Sequence, residues 1–206
     1  LDPDHYEDVS GFTDPSESPH DFFKVGHTST SIALAVGMAQ ARDLVNPDSH
    51  ENVMAVIGDG SLSGGLAFEG LNNAAKLKSN LIILVNDNQM SIDEDQGGLY
   101  RGLKELRDTQ GQSANNIFKF MGLDYRYVAD GNDLKTMIDV FKEVKNIDHP
   151  IVLHVNTQKG KGYQPAIDDQ KKYHWRAPFD LQTGESKQSA PKESYSAAVI
   201  DELNAQ

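Results

Sequence analysis

The chain has 206 residues, of which 38% are hydrophobic and 24% charged, a composition that indicates a folded globular domain and excludes disordered, collagen-like and coiled-coil proteins. Its 31 acidic and 19 basic residues give a net charge of −12, which disfavours binding to nucleic acid or to anionic membranes. Because the sequence contains no cysteine, a disulfide framework and thiolate zinc sites are excluded, and a cytoplasmic location is favoured.

Predicted strands and helices alternate along the chain. Residues 1–25, with three prolines and many acids and serines, are predicted to form a loop segment. The elements predicted after it are, in chain order, a helix over 29–43, a strand over 53–57, a helix over 64–78, a strand over 81–85, a mobile polar excursion over 91–114, a short helix over 116–121, a strand over 125–128, a helix over 133–145 and a strand over 151–155.

Hydrophobic spacing also predicts which side chains face the core, because residues three and four positions apart share one face of a helix. His154 lies within an apolar strand and is predicted to be a core histidine with its hydrogen bonds satisfied. The helical residues predicted to point inward are Leu66, Phe68, Leu71, Ala74 and Ala75 in the helix over 64–78, and Leu134, Met137, Ile138 and Phe141 in the helix over 133–145.

The alternation of strands and helices predicts an α/β fold, in which a parallel sheet carries helices on both faces. Ligands of such sheets bind in the crevice beyond the carboxyl ends of the strands. Three polar clusters follow predicted strands, at 58–63, 86–91 and 157–163. We therefore expect these clusters to meet at one site.

The first two clusters contain ligands suited to a hard metal ion. A Gly-Asp-Gly turn alone is an ordinary exit from a strand, but the next strand ends in Asn-Asp-Asn. The Asp59 carboxylate, the Asn88 amide oxygen and the Met90 backbone carbonyl make a partial all-oxygen shell, which Mg²⁺ prefers. Gly60 and Ser61 can offer backbone N–H groups to a diphosphate, so an acidic protein could hold such a ligand through its backbone and the metal.

The pair of motifs resembles the signature of thiamine diphosphate enzymes, and further motifs are similar to those of the 1-deoxy-D-xylulose-5-phosphate synthase family. A Ser-Tyr-Ser sequence at 194–196 resembles the family's entry into its second, pyrimidine-binding domain. The other stretches that carry the resemblance are Ser10-Gly11-Phe12, Ser16-Glu17-Ser18, Gly26-His27-Thr28-Ser29-Thr30-Ser31, and the segments 58–75, 86–92 and 159–175.

The resemblance assigns roles to individual residues. It implies a thiamine diphosphate- and Mg²⁺-binding domain over 26–180, and a linker with the start of the pyrimidine-binding domain over 181–206. In its implied site, Asp59, Asn88 and Met90 hold Mg²⁺; Gly26, His27, Thr28, Gly60, Ser61, Asn88 and Tyr163 bind the cofactor; and His27 and His174 act in catalysis.

The implied activity is the condensation of pyruvate with D-glyceraldehyde 3-phosphate to 1-deoxy-D-xylulose 5-phosphate with loss of CO₂, by a homodimer that serves isoprenoid, thiamine and pyridoxal biosynthesis. Two features depart from the family's pattern: the stretch 91–122 is short, and Asp130-Gly131-Asn132 stands in place of Asp-Gly-His. A transketolase-like ketol transferase therefore remains an alternative. Because the pyrimidine-binding domain is not in this sequence, we expect the isolated chain to be inactive, and a cofactor-binding fragment is the other alternative.

Overall fold

The structure, a computed structural model, describes residues 11–19, 21–49, 51–187 and 194–205. Residues 1–10, including Ser10 of the first motif, lie outside this description. In the described part of the predicted loop segment 1–25, the chain forms turns and one isolated antiparallel bridge between Thr13 and Val25, without a helix or strand. No helix among the described residues is long and apolar enough to cross a membrane.

Four strands and eight helices follow in the described part of the chain. The strand positions agree with the prediction to within a few residues at each end. The elements are α1 (Ser31–Val45), β1 (Met54–Gly58), α2 (Asp59–Leu62), α3 (Gly65–Ala74), β2 (Leu81–Asp87), α4 (Gly98–Asp108), α5 (Ile117–Phe120), β3 (Asp124–Val128), α6 (Leu134–Val144), β4 (Pro150–Asn156), α7 (Gln164–Asp168) and α8 (Tyr195–Asn204).

The four strands form one parallel sheet in the order β1-β2-β4-β3, which confirms the predicted sheet. The register pairs Gly58 with Asn86 and Asn86 with Val155, so the carboxyl ends of β1, β2 and β4 lie level. The loops that follow these strands consequently meet at one edge of the sheet. The Thr157 hydroxyl donates to the Asn86 amide oxygen at 2.6 Å, and this bond joins two of the predicted polar clusters.

Helices cover both faces of the sheet, as the sequence predicts. On one face, side chains of α1, α3, α4 and α5 pack on the sheet around fully buried residues such as Ile83 and Phe118. On the other face, Val140 and Val144 of α6 pack against Leu153 of β4 in a smaller cluster. The sheet is thus held on both sides by apolar contacts that leave its strand ends to polar loops.

The predicted inward faces of two helices need correction. Leu66 and Leu134 are exposed, at 42% and 74%, and so is Ile138. In α3 the inward face turns towards small residues because α1 approaches closely at Gly70, where an added Cβ would lie 2.9 Å from Ile32 Cγ2. The buried residues are Ala67, Gly70, Leu71 and Ala74 in α3 and Val140 and Val144 in α6.

The predicted mobile excursion over 91–114 is also wrong, because it contains the 11-residue helix α4. Leu103 and Leu106 of this helix are 1% exposed and belong to the main core. The remaining residues of α4 are mostly polar, so only a narrow apolar face marks the helix in the sequence. Helix α4 is therefore packed on the domain core, and its polar side lies near the carboxyl ends of the strands.

Candidate functional site

Asp59 joins the two predicted metal-binding loops. It follows β1 directly, begins α2 and is 2% exposed. One carboxylate oxygen accepts a hydrogen bond from the Gly60 N–H at 2.9 Å. The other accepts from the N–H groups of Asn88 and Gln89, at 2.9 and 2.6 Å, across the gap between β1 and β2. The carboxylate thus holds the Asn88 loop against the Gly-Asp-Gly loop.

The Asn88–Met90 loop is folded tightly around this carboxylate. The Asn88 amide oxygen accepts from the Met90 N–H at 3.1 Å. Gln89 between them has a φ of +67°, a left-handed conformation that non-glycine residues rarely adopt outside special sites. Asp59, Asn88 and Met90 are the predicted metal ligands, and hydrogen bonds connect them across two loops, from the Asn88 N–H to Asp59 and from the Met90 N–H to Asn88.

The electrostatics of Asp59 fit a divalent cation. Burial, followed by the neighbouring Asp87 carboxylate, raises the pKa of Asp59 to about 6. Among the described residues, no lysine, arginine or histidine forms a salt bridge with it. A buried carboxylate that lacks a cationic partner, beside an amide oxygen and a backbone carbonyl, is a donor set suited to Mg²⁺ completed by water and phosphate oxygens.

This set contains only one acidic side chain. Accordingly, no cluster of three or more His, Cys, Asp or Glu residues that could hold a metal occurs in the described ranges. Such sites with few carboxylates are typical of Mg²⁺ bound together with a substrate or cofactor phosphate.

The Gly26–Ser31 loop is attached to the Gly-Asp-Gly loop through Ser29, a residue for which the sequence predicts no role in the site. The Ser29 hydroxyl donates to the Ser61 carbonyl at 2.7 Å, although Ser29 has a φ of +70°. The predicted cofactor residues Gly26, His27 and Thr28 precede this anchor. His27 is exposed, and its Nδ1 lies 2.7 Å from the Thr28 carbonyl oxygen. The role of Ser29 is visible only in the structure, from its positive φ and its contact with Ser61, because the spacing of residues in the sequence does not indicate either feature.

The two glycines of the Gly-Asp-Gly motif differ in the space around them. A Cβ added to Gly60 would lie 2.8 Å from Ser91 Cβ and 3.2 Å from its Cα, whereas nothing lies within 4 Å of one added to Gly58. Ser91 follows the predicted ligand Met90. A side chain at position 60 must therefore displace the loop that carries the predicted metal ligands Asn88 and Met90.

We expect Gly60→Ala to lower the free energy of unfolding by about 1–3 kcal/mol through overpacking and to weaken Mg²⁺ binding. Gly58→Ala is the matched control, with φ in the extended region and no clash, and it should leave both quantities nearly unchanged. Chemical unfolding and Mg²⁺ titration would measure the two effects. Equal free energies of unfolding and equal Mg²⁺ affinities of the two variants would contradict the predicted clash with Ser91.

A buried ion network lies next to the loop Asn88–Ser91, which contains two of the predicted metal ligands and is called the metal loop below. Asp87 is fully buried and accepts from Arg107 Nη1 at 2.5 Å and from His154 Nε2 at 2.7 Å. Burial would raise the pKa of Asp87, but these hydrogen bonds from His154 and Arg107 lower it below its usual value. The Tyr125 hydroxyl lies 2.8 Å from His154 Nδ1, which confirms His154 as a satisfied core histidine.

The two ring nitrogens of His154 have different partners in this network. Burial raises the pKa of Tyr125, so its hydroxyl keeps its proton and shares a hydrogen bond with His154 Nδ1. His154 Nε2–H then donates to the Asp87 carboxylate. The sequence missed the part played by Arg107, because its partner lies on a strand of the sheet and not on the same helix.

A cavity of about 550 Å³ opens beside Asp59 and Asn88 at the ends of the strands. Asp95 contributes a carboxylate oxygen that is buried and has no hydrogen-bond partner in the described part of the chain. Asn132, which stands where the related motif has histidine, accepts from the Gln158 N–H at 2.6 Å. The residues that line the cavity include Asp59, Asn88, Met90, Asp95, Tyr100, Arg107, Gln158 and Gln170.

The remaining predicted residues lie in the chain after β4. His174 is exposed, and its Nδ1 is 3.0 Å from Lys159 Nζ, which also donates to the Ser91 carbonyl beside Met90. Tyr163 lies elsewhere: its hydroxyl donates to the Leu181 carbonyl at 3.1 Å and its ring packs near Tyr173. The structure thus connects His174 to the metal loop through Lys159 but does not bring Tyr163 to Asp59.

The fold resembles that of a solved transketolase from Campylobacter jejuni, with a TM-score of 0.56 over 70% of this chain and 22% of that one. The two sequences are 21% identical there, so this likeness concerns the fold alone. A parallel sheet with helices on both faces and converging strand-end loops is the α/β architecture that the sequence predicts.

The sequence matches the family model described as 1-deoxy-D-xylulose-5-phosphate synthase at residues 4–115 and 109–157, and the chain belongs to this family. Similar curated proteins of that name come from Clostridium beijerinckii, 40% identical over 94% of this chain and 36% of its own length, and from Geobacter sulfurreducens, 38% identical over 96% of this chain and 37% of its own length. The chain therefore spans little more than a third of the length of these relatives.

The first of these alignments extends over 228 residues, more than the 206 of this chain. The relative consequently contains additional residues within the matched region. The two family matches overlap at 109–115, in the segment between α4 and α5.

Proposed function

We propose that this chain is the metal- and diphosphate-binding part of a thiamine diphosphate- and Mg²⁺-dependent synthase that condenses pyruvate with D-glyceraldehyde 3-phosphate. The observation that carries the proposal is the Asp59 carboxylate, which is buried, forms no salt bridge among the described residues and accepts from the N–H groups of Asn88 and Gln89. Its position assembles carboxylate, amide and carbonyl oxygens at the strand ends. The family membership supports the same assignment.

Each residue of the site has a defined task in this proposal. Asp59, Asn88 and Met90 hold Mg²⁺ through oxygen atoms, and the Gly60 and Ser61 backbone faces the diphosphate. When bound, thiamine diphosphate supplies a carbanion-stabilising centre for the carbon–carbon bond chemistry. The Gly26–Thr28 loop, attached through Ser29 to Ser61, shapes the cofactor side of the site.

His174 acts at the substrate. Its Nδ1 is occupied by Lys159 Nζ, so Nε2 is the ring atom that can donate to, or receive a proton from, an oxygen of the substrate. The cytoplasmic location remains a prediction from the absence of cysteine, and the homodimeric assembly remains one from the family resemblance.

Two assays on the full-length protein distinguish the candidate reactions. The synthase should release CO₂ from pyruvate in the presence of D-glyceraldehyde 3-phosphate, whereas a transketolase-like enzyme should transfer a two-carbon unit from a ketose phosphate without CO₂ release. Pyruvate-dependent CO₂ release with formation of the five-carbon product supports the proposal. Transfer from a ketose phosphate without CO₂ release would show that the protein is a ketol transferase and not a synthase.

The 206-residue chain by itself is expected to bind the cofactor weakly and to show no turnover. It supplies the metal and diphosphate contacts, while the family's activating glutamate belongs to the pyrimidine-binding domain. Calorimetric titration with Mg²⁺ and thiamine diphosphate, together with a pyruvate-consumption assay, measures both properties. Micromolar binding accompanied by turnover would show that this chain contains a complete active site.

His174→Ala in the full-length protein should lower kcat by roughly 10²-fold, the contribution of an ordinary general acid or base. Cofactor affinity should stay close to that of the unchanged protein, because none of the metal ligands contacts the His174 ring. His149→Ala is the control: His149 is paired with Asp148 and Asp124, outside the site cavity. Unchanged turnover in His174→Ala would show that His174 is an exposed residue without a part in catalysis.

A further inference from the structure

Lys159 connects three segments of the chain at the metal loop. Its Nζ lies 2.5 Å from the Ser91 carbonyl oxygen and 3.0 Å from His174 Nδ1. Lys159 itself belongs to the loop after β4, Ser91 follows the predicted ligand Met90, and His174 lies in the chain beyond α7. The Lys159 amino group therefore contacts both His174 and the metal loop, and the nearby ion pair of Lys171 with Asp93 joins the same two segments.

The chemistry of the Lys159–His174 contact specifies the proton on the ring. An ammonium group has three N–H donors and no acceptor. His174 Nδ1 must therefore accept in this contact, and a neutral ring then carries its proton on Nε2. A histidine without such a partner exchanges between its two tautomers, so the contact selects one of them.

Two carboxylates act electrostatically on the Lys159 amino group. Burial lowers the pKa of Lys159, and the negative charges of Asp59 and Asp95 oppose part of this shift. One oxygen of Asp95 is buried without a hydrogen-bond partner among the described residues. The contacts of Lys159 with the Ser91 carbonyl and His174 Nδ1 are those that an ammonium donor can make.

We propose that Lys159 is a positioning residue that holds His174 with Nδ1 as acceptor and its proton on Nε2, so that the ring meets the substrate as a hydrogen-bond donor. This role deepens the proposed function, since it concerns how His174 takes part in that reaction. Donation from Nε2 stabilises an oxygen that gains negative charge. Lys159 acts through His174 and needs no contact with the substrate.

The ring state can be measured without any enzymatic assay. In the ¹⁵N-histidine-labelled chain at about pH 8, where an ordinary histidine is neutral, His174 should show the NMR coupling pattern of a single Nε2–H tautomer. In Lys159→Met it should show averaged signals of both tautomers, and Lys159→Arg should restore the single form because it keeps charged N–H donors. Lys161→Met, in the same loop, is the matched control and should resemble the unchanged chain.

His154 provides an internal check on folding, because Asp87 and Tyr125 hold its ring independently of Lys159. Its signals should be the same in all variants. If His154 is unchanged and His174 keeps one tautomer in Lys159→Met, the proposal is overturned. A single tautomer with the proton on Nδ1 in the unchanged chain would overturn it as well.

A double-mutant cycle in the full-length protein tests the catalytic consequence. Lys159→Met alone should lower kcat roughly 10-fold, as is common when a group that orients another is lost. In the His174→Ala background the same change should have little further effect, because the pathway through His174 is already removed. If the double variant instead lost kcat by the product of the two single-variant factors, Lys159 would act independently of His174. Absence of synthase turnover in the unchanged protein would instead refute the proposed function, and the NMR result would still decide the ring state.

Discussion

Replacement of Asp59 by alanine is expected to abolish Mg²⁺-supported binding of thiamine diphosphate in the full-length protein. Asp59 is the one carboxylate among the predicted metal ligands, and it also bonds to the N–H groups of Asn88 and Gln89. Its loss removes both the charge that attracts the ion and the hydrogen bonds that place Asn88. The affinity should fall by more than the roughly 10–100-fold typical of lost outer-shell groups. Calorimetric titration with Mg²⁺ and the cofactor measures it.

Two further variants make this experiment specific. Asp59→Asn keeps the shape of the side chain without its charge, so it should also bind poorly while remaining folded. Asp48→Ala removes an exposed carboxylate in the turn between α1 and the amino end of β1, at the opposite end of that strand from Asp59, and should bind as the unchanged protein does. Retention of full cofactor affinity in both Asp59 variants would refute the metal assignment.

Replacement of Arg107 by methionine is expected to lower the free energy of unfolding by about 3–5 kcal/mol, the effect of removing one member of a buried ion pair. Arg107 is largely buried and lies 2.5 Å from the fully buried Asp87 carboxylate. Without Arg107, that carboxylate retains the His154 hydrogen bond but loses its permanent positive partner. Urea unfolding of the chain, fitted with a two-state transition, measures the change.

Lys104→Met on the same helix is the matched control. Lys104 forms an exposed pair with Asp108, and exposed pairs contribute less than about 1 kcal/mol. The two substitutions remove one positive charge each from α4, so a difference between them reports burial and not net charge. Similar stabilities of the two variants would show that Asp87 does not depend on Arg107.

The sheet and the metal loops could be predicted because their signals are local. Each strand is a short apolar run followed at once by polar residues, and parallel strands place their carboxyl ends together. Asp59 and Asn88 could therefore be paired from the sequence before their contact was seen. His154 could be assigned to the core because a lone histidine in an apolar strand must have its ring nitrogens satisfied.

The features that the sequence did not reveal depend on contacts between distant segments. The inward face of α3 follows from the close approach of α1 at Gly70, and apolar periodicity contains no information about that partner. Helix α4 does have a sequence signal, the helical spacing of Leu99, Leu103 and Leu106, but the glycines and polar residues around these leucines made the segment resemble a loop. Likewise, Arg107 and Ser29 acquire their roles only through Asp87 and Ser61, which lie far from them in the sequence.

The pairing of α4 with Asp87 sets a limit on where the length of this chain can be changed. Residues inserted beyond Thr109 leave Arg107 in register with Asp87, because α4 ends before them. Shortening the chain before Gly98 would instead pull the helix, and with it the guanidinium, away from the strand end. Engineered tags or reporters in this segment should therefore be inserted after Thr109.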